Sequence, residues 1–179
     1  NLAIADRESY DEICRAFYHW DDIDILYRGK VLRSTGHGFA GMSRRRLLEI
    51  LANRAAELGV ELRFEQDVSH PDELGPADLI LAADGVNSRI RELYADRFNP
   101  HVDLRPNRFV WLGTTRPYPA FTFDFKENEH GLWRLHAYQY ERQADGETPI
   151  STFIVEATEA AFEKSGLGPL DERGAVAYC

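Results

Sequence analysis

Between residues 44 and 58, apolar side chains recur at helical spacing. Leu47, Leu51, Ala55 and Leu58 fall on one side, and Leu48 and Ile50 widen the stripe. Ser43 can cap this helix by accepting from a free amide of its first turn. Gly59 can take the left-handed conformation that ends it, with Val60 closing over the end. Residues 6–18 repeat the pattern more briefly, with Tyr10, Ile13, Cys14 and Phe17 on one predicted face. Elsewhere the period shortens to two. Ile23, Ile25 and Tyr27 alternate with polar neighbours ahead of Arg28-Gly29-Lys30, predicting a β-hairpin. Val60, Leu62 and Phe64 alternate likewise and predict a strand.

"DLILAADG" (78–85) is different in kind, since Leu79 to Ala83 is apolar throughout. That is the pattern of a strand covered on both faces in a parallel sheet. It runs into Asp84-Gly85, and Ser88 can then cap a short helix bearing Ile90, Leu93 and Tyr94. Helix, strand, loop, strand, helix predicts α/β for residues 43–95. After Pro100 the segments "RFVWLGTTR", "FTFDF", "LWRLHAYQY" and "STFIVE" read as strands separated by turns. Phe121, Phe123 and Phe125 share a face, with Thr122 and Asp124 on the other, predicting an antiparallel sheet with one face buried. From Ala157 the pattern is helical again, interrupted at Gly166, Gly168 and Pro169. The fold class is α/β, or α+β taken over the whole chain.

Composition narrows the function classes. With 179 residues, 44% apolar and 28% charged, the chain has an ordinary globular make-up. The net charge of −9 argues against a nucleic-acid partner, because phosphate binding needs a basic surface. No apolar run reaches the roughly 20 residues of a membrane span. Cys14 and Cys179 form no C-x-x-C pair, which suits a reduced, cytoplasmic protein. His19, His70, His101 and His130 show no metal-ligand spacing, so no metal is expected. The chain opens at Asn1 without an initiator Met and closes within a helix-like stretch, the expectation being a piece of a longer protein. Arg44, Arg45, Arg46 and Arg54 form a basic island opposed only by Glu49. It is either a solvated helix face or a site for a phosphorylated cofactor or substrate.

"GHGFAG" (36–41) matches G-x-G-x-x-G, the loop that cradles a dinucleotide. That loop needs a buried strand feeding its first glycine and a helix starting inside the motif. Here the feeding segment "GKVLRST" is amphipathic, and the helix starts only after Ser43. The motif therefore reads as a glycine-permitted connection between two domains.

The acidic turn is the stronger signal. Taken alone, Asp84, Gly85, Ser88 and Arg91 form either an ordinary strand–turn–helix junction or a place where backbone amides approach a diphosphate. "ADLILAADGVNSRIR" resembles the second signature of flavin-dependent aromatic hydroxylases, and "SRRRLLEIL" supplies their R-x-x-L-x-x-x-L pattern through Arg44, Leu47 and Leu51. The phrases "HWDDIDILYRGK", "RFVWLGT", "LHAYQY" and "STFIVE" are similar to the branch containing salicylyl-CoA 5-hydroxylase and 2-aminobenzoyl-CoA monooxygenase. The tryptophan hydroxylase of violacein biosynthesis is a more distant likeness. The family's N-terminal G-x-G-x-x-G and its later G-D motif are both absent.

The resemblance implies part of a Rossmann-like FAD-binding domain joined to an antiparallel substrate sheet. The implied segments are 1–41 (substrate-domain segment and connection), 42–97 (FAD domain), 98–157 (substrate sheet) and 158–179 (a helical segment). It implies an FAD-dependent monooxygenase using NADH or NADPH and O2 on a small aromatic acyl-CoA substrate. FAD contacts would come from Arg44, Val68 (beside the adenine), Asp84, Gly85, Ser88 and Arg91. A neutral histidine could draw a proton from a ring hydroxyl or amino group, and His136 is the candidate. Trp111, Tyr138 and His37 are candidate substrate contacts. Arg45, Arg46 or Arg54 could meet the phosphates of CoA. Two rivals stand beside this reading: a nicotinamide-dependent reductase built on GHGFAG, and a truncated domain that binds nothing tightly.

Overall fold

The computed structural model describes residues 2–179. In chain order, helices α1 (Leu2–Ala5) and α2 (Arg7–Ala16) lead into strands β1 (Tyr18–Trp20), β2 (Ile23–Tyr27), β3 (Lys30–Ser34) and β4 (Phe39–Gly41). Helix α3 (Arg44–Glu57) and the short helices α4 (Arg89–Leu93) and α5 (Ala95–Phe98) follow. The chain then runs through β5 (Asn107–Thr114), β6 (Phe121–Asn128), β7 (Gly131–Arg142) and β8 (Pro149–Thr158) to α6 (Glu159–Ser165) and α7 (Glu172–Tyr178). This mixture of helices and sheet is an α/β fold. Among the described residues, no helix is long and apolar enough to cross a membrane.

The chain divides into two compact units: one runs up to Gly59 and resumes from Pro106 to Cys179, and the other is Val60–Arg105. In the larger unit a six-stranded sheet has the order β3-β2-β6-β7-β8-β5. All neighbours are antiparallel except β2 and β6, which run parallel. Strands β1 and β4 form a separate two-stranded ribbon. The predicted hairpin is present: Arg28 and Gly29 both have positive φ, at 48° and 73°, as the tightest hairpin turns require.

Register assigns the two faces of the sheet. One face carries Trp133, Val155 and Ala157, which are buried with Ala161 of α6 and Leu167 just beyond it. Thr158 caps α6 by accepting from the Ala161 amide, and Gly166 ends it at φ 68°. The other face carries the phenylalanine row. Those rings are only half-buried, whereas Thr122 on the opposite side is buried. The sheet thus has one covered face, and it is the one opposite the phenylalanine row, because the C-terminal helices pack there.

Helix α3 begins and ends where the sequence places it. Ser43 accepts from the Arg46 amide, and Gly59 takes φ 78°. Its buried face is another matter. Ile50 is 1% exposed, while Leu48, Leu51 and Leu58 are 57%, 40% and 62% exposed. The cause lies in α2. Arg46 pairs with Glu12 at 2.8 Å, and Arg54 pairs with Asp6 at 3.1 Å and with Glu8. These ion pairs turn the arginine side of α3 toward α2. Helix α2 in turn buries Ser9 and Ile13, leaving Tyr10 exposed.

Two predicted strands do not form. Residues 60–64 and 78–83 make no ladder, and Leu79 and Leu81 are 74% and 81% exposed. A strand is held by neighbours about 4.8 Å away, and every ladder among the described residues lies in the larger unit. Val60 is also exposed.

The glycine motif joins β3, an edge strand, to β4, whose partner β1 is antiparallel; both strands lie in one unit. It thus lacks the parallel strand setting of a dinucleotide loop and lies within one unit. Gly41 is needed for a different reason: a Cβ there would lie 3.0 Å from Trp20 Cη2 and 3.4 Å from Tyr140 Cβ.

Two outcomes follow from these contacts. Gly41→Val should destabilise the chain by about 1–3 kcal/mol through overpacking, read from urea unfolding. Asp24 is buried and accepts from Arg33 Nε at 2.7 Å and Nη2 at 2.6 Å. Those bonds hold its carboxyl below the ordinary 3.8. A lowered folded-state value means that the contribution is present above the unfolded value and is lost as pH falls through the folded one. Asp24→Asn should therefore be clearly less stable than the parent at pH 7, with the gap closing below 3.8.

Candidate functional site

In the smaller unit the acidic turn folds on itself. Gly85 takes φ 85°, a conformation glycine alone reaches without strain. Asp84 accepts from Ser88 Oγ at 2.6 Å and from the Ile90 amide at 3.3 Å. Ser88 Oγ accepts from the Arg91 amide at 3.0 Å, and the Arg91 guanidinium donates to the Val86 carbonyl. The Ser88 hydroxyl and the surrounding amides hold the Asp84 carboxyl below its usual range.

Four of the expected cofactor contacts thus converge, but as a capping network that already satisfies two first-turn amides of α4. They line a cleft of about 640 Å³ whose apolar wall includes Ile80, Tyr94 and Phe98. Val68 does not line it. Its neighbours Asp67 and Ser69 are both tied to Arg89, at 2.6 and 3.0 Å. Arg89 holds the two segments together, and nothing in its sequence neighbourhood singles it out.

In the larger unit the phenylalanine face of the sheet carries a second candidate site. Register aligns Leu32, Ile25, Phe123, His136, Ile154 and Trp111 in one row across the six strands. The next row holds Arg134 opposite Glu156. Above them, Tyr138 stacks on Phe121 at 5.0 Å and on Trp20 at 5.5 Å, and Trp20 stacks on Phe39 at 6.2 Å.

These rings wall a cleft of about 510 Å³ that also takes in Trp111 and Arg44. The structure therefore brings Arg44, Trp111 and Tyr138 together. His37 joins the aromatic run by stacking on Phe39 at 5.9 Å, with its Nε2 2.7 Å from Ser34 Oγ. Sequence reasoning missed Trp20, Phe39 and Glu156. Only the pairing of β1 with β4, and of β7 with β8, reveals them.

His136 lies on the same face beside this cleft. Phe123 meets its ring edge-on at 5.0 Å, and Glu156 Oε2 stands 3.6 Å from its Nε2. Burial pushes the imidazole below its ordinary 6.5; Glu156 opposes that and Arg134 adds to it. A neutral imidazole here can accept a proton, and the aromatic walls can stack an aryl ring.

The basic island resolves differently. Arg54 and Arg46 are engaged by Glu8 and Glu12 of α2 and by Asp6 at its head, and Arg45 reaches Glu49 only at 3.8 Å. Arg44 makes no ion pair among the described residues, which leaves it as the cation available to an anionic ligand of the aromatic cleft.

No protein-family model matches the chain. Curated relatives do. The chain is 38% identical over 153 residues to a salicyloyl-CoA 5-hydroxylase of a Streptomyces species, covering 86% of this chain and 28% of that protein. It is 30% identical to a protodeoxyviolaceinate monooxygenase of Chromobacterium violaceum, covering 88% and 41%. It is 33% identical to a 3-hydroxy-4-methyl-anthranilyl-[aryl-carrier protein] 5-monooxygenase of Streptosporangium sibiricum, covering 87% and 42%. The chain thus spans well under half the length of each. Across nearly nine-tenths of its own length, it is a homologue of these monooxygenases.

Proposed function

We propose that this chain is part of a longer FAD-dependent monooxygenase that hydroxylates an aromatic ring carried as an acyl thioester, with NADH or NADPH as reductant and O2 as oxygen source. The observation that carries the reading is the aromatic sheet face with a neutral imidazole on it. Two relatives bear names that specify aromatic acyl groups on CoA or a carrier protein, and salicylyl-CoA is the substrate of choice to test. The division into cofactor and substrate parts at residues 42, 97 and 157 belongs to the same proposal.

The acidic turn fits a diphosphate in one respect and resists it in another. A Cβ at Gly85 would meet nothing within 4 Å, so the backbone stands open to approach. Two amides of the following turn, however, are already satisfied by Asp84 and Ser88. Approach is therefore assigned to the Gly85 backbone and the apolar wall, with Arg91 lining the same cleft and Val68 outside it. When bound, the flavin would carry electrons from the nicotinamide to O2, one atom of which goes to the ring and the other to water.

The chain's own residues do the rest. Trp20, Phe121, Tyr138 and Trp111 stack the aryl ring and exclude water. Arg44, at the aromatic cleft, meets an anionic oxygen of the acyl group's phosphorylated carrier by charge-assisted bonds. His136 accepts the proton of a ring hydroxyl or amino group, which raises electron density at the carbon to be oxidised.

Two tests apply to a chain extended to the length of its relatives. Gly85→Val should lose bound flavin on desalting, read by visible absorbance, whereas Gly38→Val should keep it; the reverse result would restore the glycine loop as the nucleotide site. His136→Gln should lower kcat by roughly 10²–10⁴-fold with little change in KM. The parent's activity should fall on the acid side only below pH 6.5, because the imidazole must be neutral and its folded value is lowered. Full turnover in His136→Gln would remove this residue from the mechanism.

A further inference from the structure

The carboxylate beside His136 is held more firmly than a surface ion pair requires. Glu156 Oε1 accepts from Asn107 Nδ2 at 2.7 Å and from the Arg134 guanidinium. Asn107 stands on β5, Glu156 on β8 and Arg134 on β7, so three adjacent strands converge on one oxygen. The other oxygen, Oε2, is turned to His136 Nε2 at 3.6 Å. Register explains the reach: His136 pairs with Ile154, which places Glu156 at the diagonal position two residues on, a spacing long side chains bridge. The distance exceeds a hydrogen bond and lies within ion-pair range, ready to shorten when the ring takes a proton.

The surroundings of the ring leave Glu156 as its acidic neighbour. From β6 the facing residues are Phe121, Phe123 and Phe125, none of them ionisable, with Phe123 edge-on to the imidazole. From its own strand the facing groups are Arg134 and Tyr138; from β8 they are Thr152, Ile154 and Glu156. Arg134 and Glu156 thus act on the imidazole with opposite signs.

We propose that Glu156 is the positioning residue for His136: its charge faces Nε2 and favours the hydrogen there, leaves Nδ1 as the proton-accepting nitrogen, and closes to a hydrogen bond that stabilises the imidazolium once formed, while Arg134 and Asn107 fix the carboxylate in place. Which ring nitrogen keeps the hydrogen follows from the partner its neighbour makes. The ring stays neutral at rest because burial disfavours its charged form, and Arg134 offsets part of the opposing pull of Glu156. The catalytic half of this inference rests on the reading of His136 given above; the coupling between the three side chains stands on this chain alone.

The test is a titration of His136 by two-dimensional ¹H–¹⁵N NMR on the 179-residue chain, comparing the parent with Glu156→Gln and Arg134→Leu. Glu156→Gln should lower the titration midpoint by about half a pH unit or more, and Arg134→Leu should raise it by a similar amount. The ¹⁵N shifts of the neutral ring should show the hydrogen on Nε2 in the parent, and that preference should weaken in Glu156→Gln. A merely structural ion pair would move neither midpoint in this paired, opposite fashion.

Unmoved midpoints, or shifts of the same sign in both variants, overturn the proposal. Should Glu156→Gln lose its fold by circular dichroism, Arg134→Leu decides alone: a raised midpoint supports the coupling, and an unmoved or lowered one overturns it. In the extended chain, Glu156→Gln should carry the acid limb of kcat/KM downward together with the midpoint, and Glu156→Asp should restore part of the loss. Opposite midpoint shifts combined with a fully active His136→Gln would sink the catalytic reading of His136 and leave the coupling supported.

Discussion

The ladder joining β6, β7 and β8 is the constraint on which the larger unit depends. Side chains alternate along a strand, so one choice of register decides every neighbour on both faces at once. Here that choice sends Trp133, Val155 and Ala157 to the side covered by α6 and the turn after it. The same choice sends Phe123, His136 and Arg134 to the reverse, where Phe123 pairs with His136 and Phe125 with Arg134. A slip of one residue would place the histidine against the C-terminal helices and the tryptophan in the cleft. The bulge between Gln139 and Glu141 falls beyond these pairs, so it bends the far end of β7 and leaves the functional rows aligned.

The face left for chemistry is organised by stacking in place of close-packed aliphatic residues. Trp20 reaches it only because Gly41, on the opposing strand of the ribbon, has no side chain. The buried indole N–H of Trp20 has no acceptor among the described residues. Such an orphan costs about 1–3 kcal/mol, which the contacts with Phe39, Phe121 and Tyr138 must exceed. Charge is divided just as sharply. Acids of α2 take up Arg46 and Arg54, and this leaves Arg44 at the cleft.

Much of this was legible in the residues. Ser43 and Ser88 announce helix starts because a short hydroxyl side chain can satisfy a terminal amide. Arg28-Gly29 announces a hairpin, and the strands from 107 to 158 announce themselves by aromatic and β-branched content. Periodicity failed at α3 because it records where apolar residues lie and not which side the arginines commit to partners some 48 positions earlier. The apolar run 79–83 has the composition of a buried strand, yet pairing is a property of neighbours that composition does not supply. Glu156 was invisible because its importance is positional: nothing in "STFIVE" marks the glutamate until the register sets it diagonal to His136.

The lone parallel pair in the sheet bears on how the chain reaches this form. β2 ends at Tyr27, and its parallel partner β6 begins at Phe121, with the whole of Val60–Arg105 intervening. During synthesis the β2–β3 hairpin must wait for the late strands before it gains a third strand, and an isolated two-stranded ribbon is marginal in water. Closing so long a loop ranks among the slow events of folding. The early hairpin, with Val31 and Leu32 on its outer strand, is thus the part of the nascent polypeptide most open to chaperone capture or to mispairing with another chain.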